Sequence, residues 1–371
     1  MENMVNFKDL FSGIYKGKKV VLTGHSGFKG SWMAKWLHAM GAEVYGFSLP
    51  APSEPNHLAC IDLQIHEHFG DIRNQQEIAD YVADVQPDIV FHLAAQALVR
   101  QSYIDPIETY STNVMGTLNV LEACRKTESV RAIVVISSDK CYENREWIWG
   151  YRENDPMGGF DPYSASKGCT ELVTNSYRNS YFNVHDYGKK HNVLLASGRA
   201  GNVIGGGDWA ADRLIPDIVR AASVNDSVFI RNPLATRPWQ HVLEPLSGYL
   251  TLGWQLLEGK VECADGWNFG PSGESNLTVD EVVKLSKKQW DKIAIEYSKN
   301  PTDAHEANLL MLDCSKANKL LHWKPIWNFT ETIEKTIGWY KDFYVSNNVN
   351  TQTDLNEYVS QAIEKQVVWA Q

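Results

Sequence analysis

The chain has 371 residues, a formal net charge of -10 and 43% hydrophobic residues. That length suits one large domain or two fused ones, and the acidic balance excludes the broad basic face that nonspecific nucleic-acid binding requires. The six cysteines form no CxxC pair and no metal-ligand spacing, so they read as free thiols of a reducing compartment. Met1 to Lys19 lacks the apolar core of a signal peptide, and no apolar run approaches the roughly 20 residues of a spanning helix. The expected location is the cytoplasm, with no membrane or nucleic-acid partner.

In chain order, "KVVLTG" is a predicted buried strand. "GSWMAKWLHAMG" is a helix with Met33, Trp36, Leu37 and Met40 at helical spacing, closed by Gly41. "EVYGFSL" is the second strand, "QQEIADYVADVQ" a helix and "DIVFHLAA" a further strand. "PIETYSTNVMGTLNVLEACRK" reads as one long helix, "RAIVVISS" as a strand, "YSASKGCTELVTNSYRNSYF" as a long helix and "NVLLASGRAGN" as a strand. This alternation of continuous apolar strands with helices predicts an α/β fold, a Rossmann-type doubly wound parallel sheet. Past residue 205 the alternation stops, with the Gly-rich "VIGGGDWAADR" and the polar "RNPLATRPWQH". The expected division is residues 1–204 for a dinucleotide-binding part carrying the catalytic residues and 205–371 for a smaller, mainly substrate-binding region, the two interleaved.

Gly24, Gly27 and Gly30 follow the first strand and open the first helix. In that setting Gly24 allows the tight turn, Gly27 lets backbone approach a pyrophosphate, and Gly30 lets helix pack on strand. The helix N-terminus at Phe28 and Lys29 then offers N–H groups and partial positive charge to the anion. His25 stands inside the turn, where its bulk is expected to crowd the cofactor and weaken its binding. The second strand ends in Ser48, not in the acid that usually holds the ribose. Lys16, Lys18 and Lys19 precede the first strand and no arginine follows the second, which favours NAD over NADP. Asp71 can bond the adenine amino group while Ile72 packs on the ring. Leu93, Ala94 and Ala95 end another strand, with small residues where a cofactor can approach.

Tyr163 and Lys167 lie four apart at the start of a helix and project from one face. A nearby lysine ammonium, together with the nicotinamide cation, is expected to lower the tyrosine pKa from about 10 toward that of a usable base. Ser138 would hold the hydroxyl that Tyr163 deprotonates. Ser138, Asp139 and Lys140 follow the apolar run Ala132–Ile136 directly. Cys141 has no histidine nearby in sequence to activate it and reads as a small strand-end residue.

The segments "TGHSGFKG", "GDI", "FHLAAQ", "STNVMGTLNVLEA", "SSDK", "YSASK" and "AGNVIGGGD" resemble the extended short-chain dehydrogenase/reductases over nearly the whole chain, and within them the nucleotide-sugar 4,6-dehydratases. The resemblance implies a tightly held NAD regenerated in each turnover. It implies CDP-glucose as the nucleotide-sugar substrate and a 4-keto-6-deoxy sugar of bacterial surface polysaccharide as the product. It assigns Asp139, as a neutral acid, to the C6 hydroxyl. Related dehydratases carry a glutamate where this chain has Lys140, so Lys140 either takes the C5 proton or steadies the enolate charge. Asn113 resembles the family's structural asparagine and is expected to hold the lysine of the Tyr163–Lys167 pair. Asn202 matches a substrate-diphosphate contact, and Arg237 is suited to the same diphosphate; Arg213 and Arg231 are weaker candidates. The resemblance also implies a dimer through the helices containing "TNVMGTLNVLEA" and Tyr163, or a tetramer of two dimers. Alternatives are a dehydratase or 4-epimerase acting on UDP-N-acetylglucosamine or dTDP-glucose, and a noncatalytic NAD-binding protein.

Overall fold

Strand side chains alternate between faces, and here the alternation feeds two separate cores. The structure is a computed structural model that describes residues 5–230, 232–271, 276–297 and 309–371. Its central sheet has seven parallel strands: β1 (Lys19–Thr23), β2 (Glu43–Ser48), β3 (His66–Phe69), β4 (Ile89–His92), β5 (Ala132–Ile136), β6 (Leu194–Arg199) and β7 (Gly266–Asn268). They lie in the order β7-β6-β5-β4-β1-β2-β3. Leu22, Phe91 and Val134 enter one core, while Val21, Val90 and Val135 enter the other. All five β5 side chains are buried, and full burial of one such side chain stabilises by roughly 1.5–3 kcal/mol.

Eight helices matter for the site: α1 (Phe28–Ala39), α2 (Gln75–Val85), α3 (Pro106–Tyr110), α4 (Gly116–Lys126), α5 (Pro162–Ser180), α6 (Leu243–Leu257), α7 (Phe329–Ser346) and α8 (Thr351–Glu364). Residues of α1, α6, α7 and α8 fill the first core; residues of α2, α4 and α5 fill the second. The predicted long helix over 106–126 is interrupted by a π turn at Ser111–Met115. That turn has a use: the Asn113 carbonyl accepts from Thr117 Oγ1 at 2.7 Å and from Thr170 Oγ1 of α5 at 2.8 Å, tying this helical segment to the one that carries Tyr163.

The C-terminal half of the chain supplies β7 at one sheet edge and α6 across one face. The chain runs from β1 to β3 toward one edge, then crosses to β4 on the other side of β1. Such a reversal leaves a crevice at the carboxyl ends of the strands, where ligands of doubly wound sheets bind. No described helix is long and apolar enough to cross a membrane, and all six cysteines are unpaired.

Candidate active site

A cavity of about 610 Å³ occupies that crevice, with Gly24, Ser48, Asp71, Leu93 and Ser137 lining it from the ends of five strands. Gly24 has φ 76°, and a Cβ there would lie 2.7 Å from the Ala94 nitrogen. At Gly30 a Cβ would lie 2.0 Å from the Gly24 oxygen, so the helix can meet the turn only with glycine there. Gly27 is different: its Cβ would make an ordinary 3.4 Å contact, so nothing inside the chain demands glycine, and the residue faces the cavity. Side chains cap α2 (Asn74) and α5 (Asp161), whereas Gly27 leaves the first turn of α1 without a capping side chain. An uncapped helix start in a glycine cradle fits a dinucleotide pyrophosphate. Phe28, Lys29, Ile72, Ala94 and Ala95 also line this cavity.

His25 does not crowd it. The ring is fully buried beneath the turn, with Nδ1 3.0 Å from Ser48 Oγ and Nε2 3.3 Å from Glu67 Oε2. It fits because β2 carries Gly46 opposite, where a Cβ would come within 2.4 Å of the ring. Crowding of the cofactor by His25 is therefore corrected: the histidine holds the Ser48 hydroxyl from below. Ser48 Oγ also donates to Ser26 Oγ at 2.9 Å. The Asp71 carboxylate is gripped by Arg73, with Nη2–Oδ2 at 2.6 Å, while Ile72 is buried against Gly116.

At the end of β5, Ser138 caps the short turn Asp139–Cys141. Its hydroxyl accepts from Lys140 N at 3.2 Å and donates to Asp139 Oδ1 at 2.8 Å. Asp139 is 2% exposed, and its Oδ2 has no hydrogen-bond partner. Room for that oxygen comes from Gly201, where a Cβ would lie 1.8 Å from it. Tyr163, in the first turn of α5, is buried beside Ser138 and lines the cavity. Burial pushes its pKa up to about 12, the Ser138 hydroxyl opposes this, and the Asp139 charge adds to it. Lys167 points its ammonium at the Ile136 carbonyl, 3.2 Å away. Burial lowers the Lys167 pKa to about 8 against the pull of Glu171. Lys140 is half-buried and is not part of the cavity wall. Cys141 is fully buried, and burial raises its thiol pKa well above the ordinary value.

Asn113 also departs from expectation. Its amide donates to Ser166 Oγ at 2.8 Å and to the Gln96 carbonyl at 3.0 Å, and its Oδ1 accepts from Gln96 N at 2.8 Å. It clamps the loop after β4 to α5 and makes no bond to Lys167. Lys29 and Arg213 share the cavity wall. Burial, with the Arg213 and Lys167 charges next, lowers the Lys29 pKa to about 8. Arg213 is paired with Asp208 at 2.8 Å.

A second cavity of about 290 Å³ opens beside Gly201, Gln240 and Asp313. Asn202 adjoins it in the left-handed region, φ 44°. Arg237 sits on a short strand, Thr236–Pro238, beside the lining residue Pro238. Arg231 lies outside the described residues.

Sequence reasoning passed over the pair beneath the site. Arg199 Nη2 and Glu171 Oε2 are 2.9 Å apart, both nearly inaccessible. Ser137 and Ser197 hydroxyls also donate to Glu171, and Arg199 Nη1 donates to Tyr142 OH at 2.6 Å. Burial alone would raise the Glu171 pKa, yet Arg199 and the hydroxyls bring it to about 2. The one available signal was the four-residue step from Lys167 to Glu171 along α5.

Residues 21–336 match the family model described as GDP-mannose 4,6 dehydratase. The chain is 50% identical over 350 residues to CDP-glucose 4,6-dehydratase of Salmonella typhimurium, covering 93% of this chain and 97% of that one. Among solved structures it resembles an epimerase of Methanothermobacter thermautotrophicus, with a TM-score of 0.78, 25% identity and coverage of 91% and 96%. It also resembles UDP-glucuronic acid 4-epimerase of Bacillus cereus, solved with UDP-glucuronic acid and NAD, with a TM-score of 0.73, 20% identity and coverage of 88% and 100%. By its fold, its glycine cradle and this match, the chain belongs to the GDP-mannose 4,6 dehydratase family of the extended short-chain dehydrogenase/reductases.

Proposed function

We propose that this protein removes water from CDP-glucose to give CDP-4-keto-6-deoxyglucose with a bound NAD. The observation that carries the reading is Asp139: a buried carboxyl with one free oxygen beside Tyr163. A 4-epimerase needs the tyrosine–lysine pair but no acid for a C6 hydroxyl. The 50% identity to the Salmonella enzyme supports the choice of nucleotide sugar.

The cradle at Gly24, Gly27 and Gly30 would hold the dinucleotide, with Ser48 near its ribose and Ile72 near its adenine. NAD held there would supply the acceptor for the C4 hydride and its return to C6. Tyr163 takes the proton of the 4-hydroxyl, which Ser138 orients. Burial pushes the Tyr163 pKa up, so positive charge beside it would favour its role as a base. Lys167, already in the wall of the same cavity, contributes to that charge. The C4 ketone then acidifies the C5 proton. Asp139 is assigned as the acid that gives a proton to the C6 hydroxyl, which leaves as water. We assign the C5 side to Lys140, whose side chain makes no hydrogen bond or ion pair among the described residues. Asn202 and Arg237 are assigned to the substrate diphosphate.

Self-association is part of the same reading. Ile107, Tyr110, Met115 and Leu172 are exposed apolar side chains on α3, the π turn and α5, an arrangement suited to a dimer and open to a tetramer of two dimers.

The test is incubation with CDP-glucose, dTDP-glucose and UDP-N-acetylglucosamine in parallel, reading the alkaline absorbance of a 4-keto-6-deoxy sugar. Signal from CDP-glucose is expected. Signal only from another nucleotide sugar overturns the substrate assignment, and none from any overturns the dehydratase reading.

A further inference from the structure

Two buried polar atoms near the reacting end of β5 have no hydrogen-bond partner: Oδ2 of Asp139 and the hydroxyl of Tyr249 on α6. Asp139 is 2% exposed and Tyr249 0%. Unpartnered groups in such a place oppose folding, so two of them at one strand end ask for a function.

Both positions are made by glycines of the same strand end. At Gly198 a Cβ would come within 2.8 Å of Cδ1 and Cε1 of Tyr249, so only glycine lets the ring lie against β6. At Gly201 a Cβ would lie 1.8 Å from Asp139 Oδ2. Gly198 is paired with Ile136 of β5, the Ser137 nitrogen donates to the Gly198 carbonyl at 2.9 Å, and the Asp139 nitrogen donates to Ala200 at 3.3 Å. The ring therefore lies against Gly198 and the carboxyl against Gly201 of one short backbone segment, near enough for the Asp139 charge to bear on the Tyr249 hydroxyl. Burial raises the Tyr249 pKa well above its ordinary value, and the charges of Asp139 and Tyr163 raise it further. At neutral pH this hydroxyl is a hydrogen-bond donor and not a base. The fold does not need it, because the ring's edge-on contact with Phe269, 5.8 Å between centroids, is available to phenylalanine too.

We propose that Tyr249 is a positioning residue for the acid step, its hydroxyl donating to Oδ2 of Asp139 as that carboxyl gives up its proton. The inference rests on the dehydratase reading above. In the step, the Asp139 proton passes to the C6 oxygen, the C6–O bond breaks and water leaves. The C5–H electron pair forms the C5–C6 double bond, and the C5 proton goes to the base. Asp139 is left as a carboxylate and the Tyr249 O–H bond stays intact. Ser138 already donates to Oδ1 at 2.8 Å, so Tyr249 supplies the donor for the other oxygen. A hydrogen bond to a charged acceptor is stronger than one to a neutral acid, so the hydroxyl favours proton release over the resting state.

The test compares wild type, Tyr249→Phe, Asp139→Asn and the double variant on CDP-glucose. In Tyr249→Phe the thermal midpoint is expected to hold or rise, since an unpartnered hydroxyl is removed. Substrate-dependent reduction of bound NAD should persist, KM should move less than about twofold, and kcat should fall roughly 10- to 100-fold. The double variant should match Asp139→Asn, because Tyr249 acts only through that carboxyl. Wild-type turnover in Tyr249→Phe overturns the inference, as does a loss that multiplies with that of Asp139→Asn. Absence of product from wild type itself sinks the dehydratase reading instead, which keeps the two failures apart.

Discussion

Two buried carboxylates lie close together behind the same strand ends and are treated in opposite ways. Glu171 is fully satisfied: Arg199 pairs with it, and two serine hydroxyls donate to it. Asp139 has one oxygen bonded by its neighbour Ser138 and the other left without a partner. Burial is nearly equal, 4% and 2% exposed. The difference teaches that burial alone does not mark a reactive acid. A carboxylate whose acceptors are all used is held charged and holds the fold, while Asp139 keeps one oxygen unused, which is what the proposed acid role draws on.

Asp139→Asn should break the reactive half of that comparison. Overall turnover is expected to fall about 10²- to 10⁴-fold, with the unfolding free energy within about 1 kcal/mol of wild type, as measured by denaturant titration beside the product assay. Glu171→Gln should break the structural half. It leaves the buried Arg199 guanidinium without a counter-charge, and loss of one partner from a buried pair costs about 3–5 kcal/mol. Equal stability losses in the two variants would erase the distinction.

Much of this was legible in the sequence, for physical reasons that can be named. β1, β4, β5 and β6 are buried on both faces, so their residues form continuous apolar runs. The glycine cradle and the Tyr163–Lys167 step are local patterns. What stayed hidden depends on residues far apart in the chain. His25 looks like an obstruction until Gly46 is seen to receive its ring. Glu171 and Arg199 are ordinary charged residues until β6 is laid beside α5. Tyr249 belongs to a helix buried nearly all round, where an aromatic residue reads as core. β3, His66–Phe69, is a sheet edge with mostly exposed side chains, and β7 is three residues long; neither carries a pattern to read.

Acid sharpens the comparison further. The folded Glu171 pKa, about 2, lies below the ordinary value of about 4.3. Its stabilisation is therefore fully present above about pH 4.3 and is lost as pH falls toward 2. Wild type should lose stability across that window, and Glu171→Gln should show a flatter slope there by thermal unfolding at stepped pH. A smaller effect is expected from Lys140→Ala. If Lys140 serves the C5 side, turnover should drop by about tenfold or more with no change in thermal midpoint; turnover near wild type would remove Lys140 from the mechanism.

The most direct measurement follows one hydrogen. CDP-glucose carrying deuterium at C4 should yield a 4-keto-6-deoxy product with that deuterium in the C6 methyl group. That result requires oxidation, water loss and hydride return within a single site. Deuterium found at C4 of an epimerised sugar, or lost to solvent, would contradict the account.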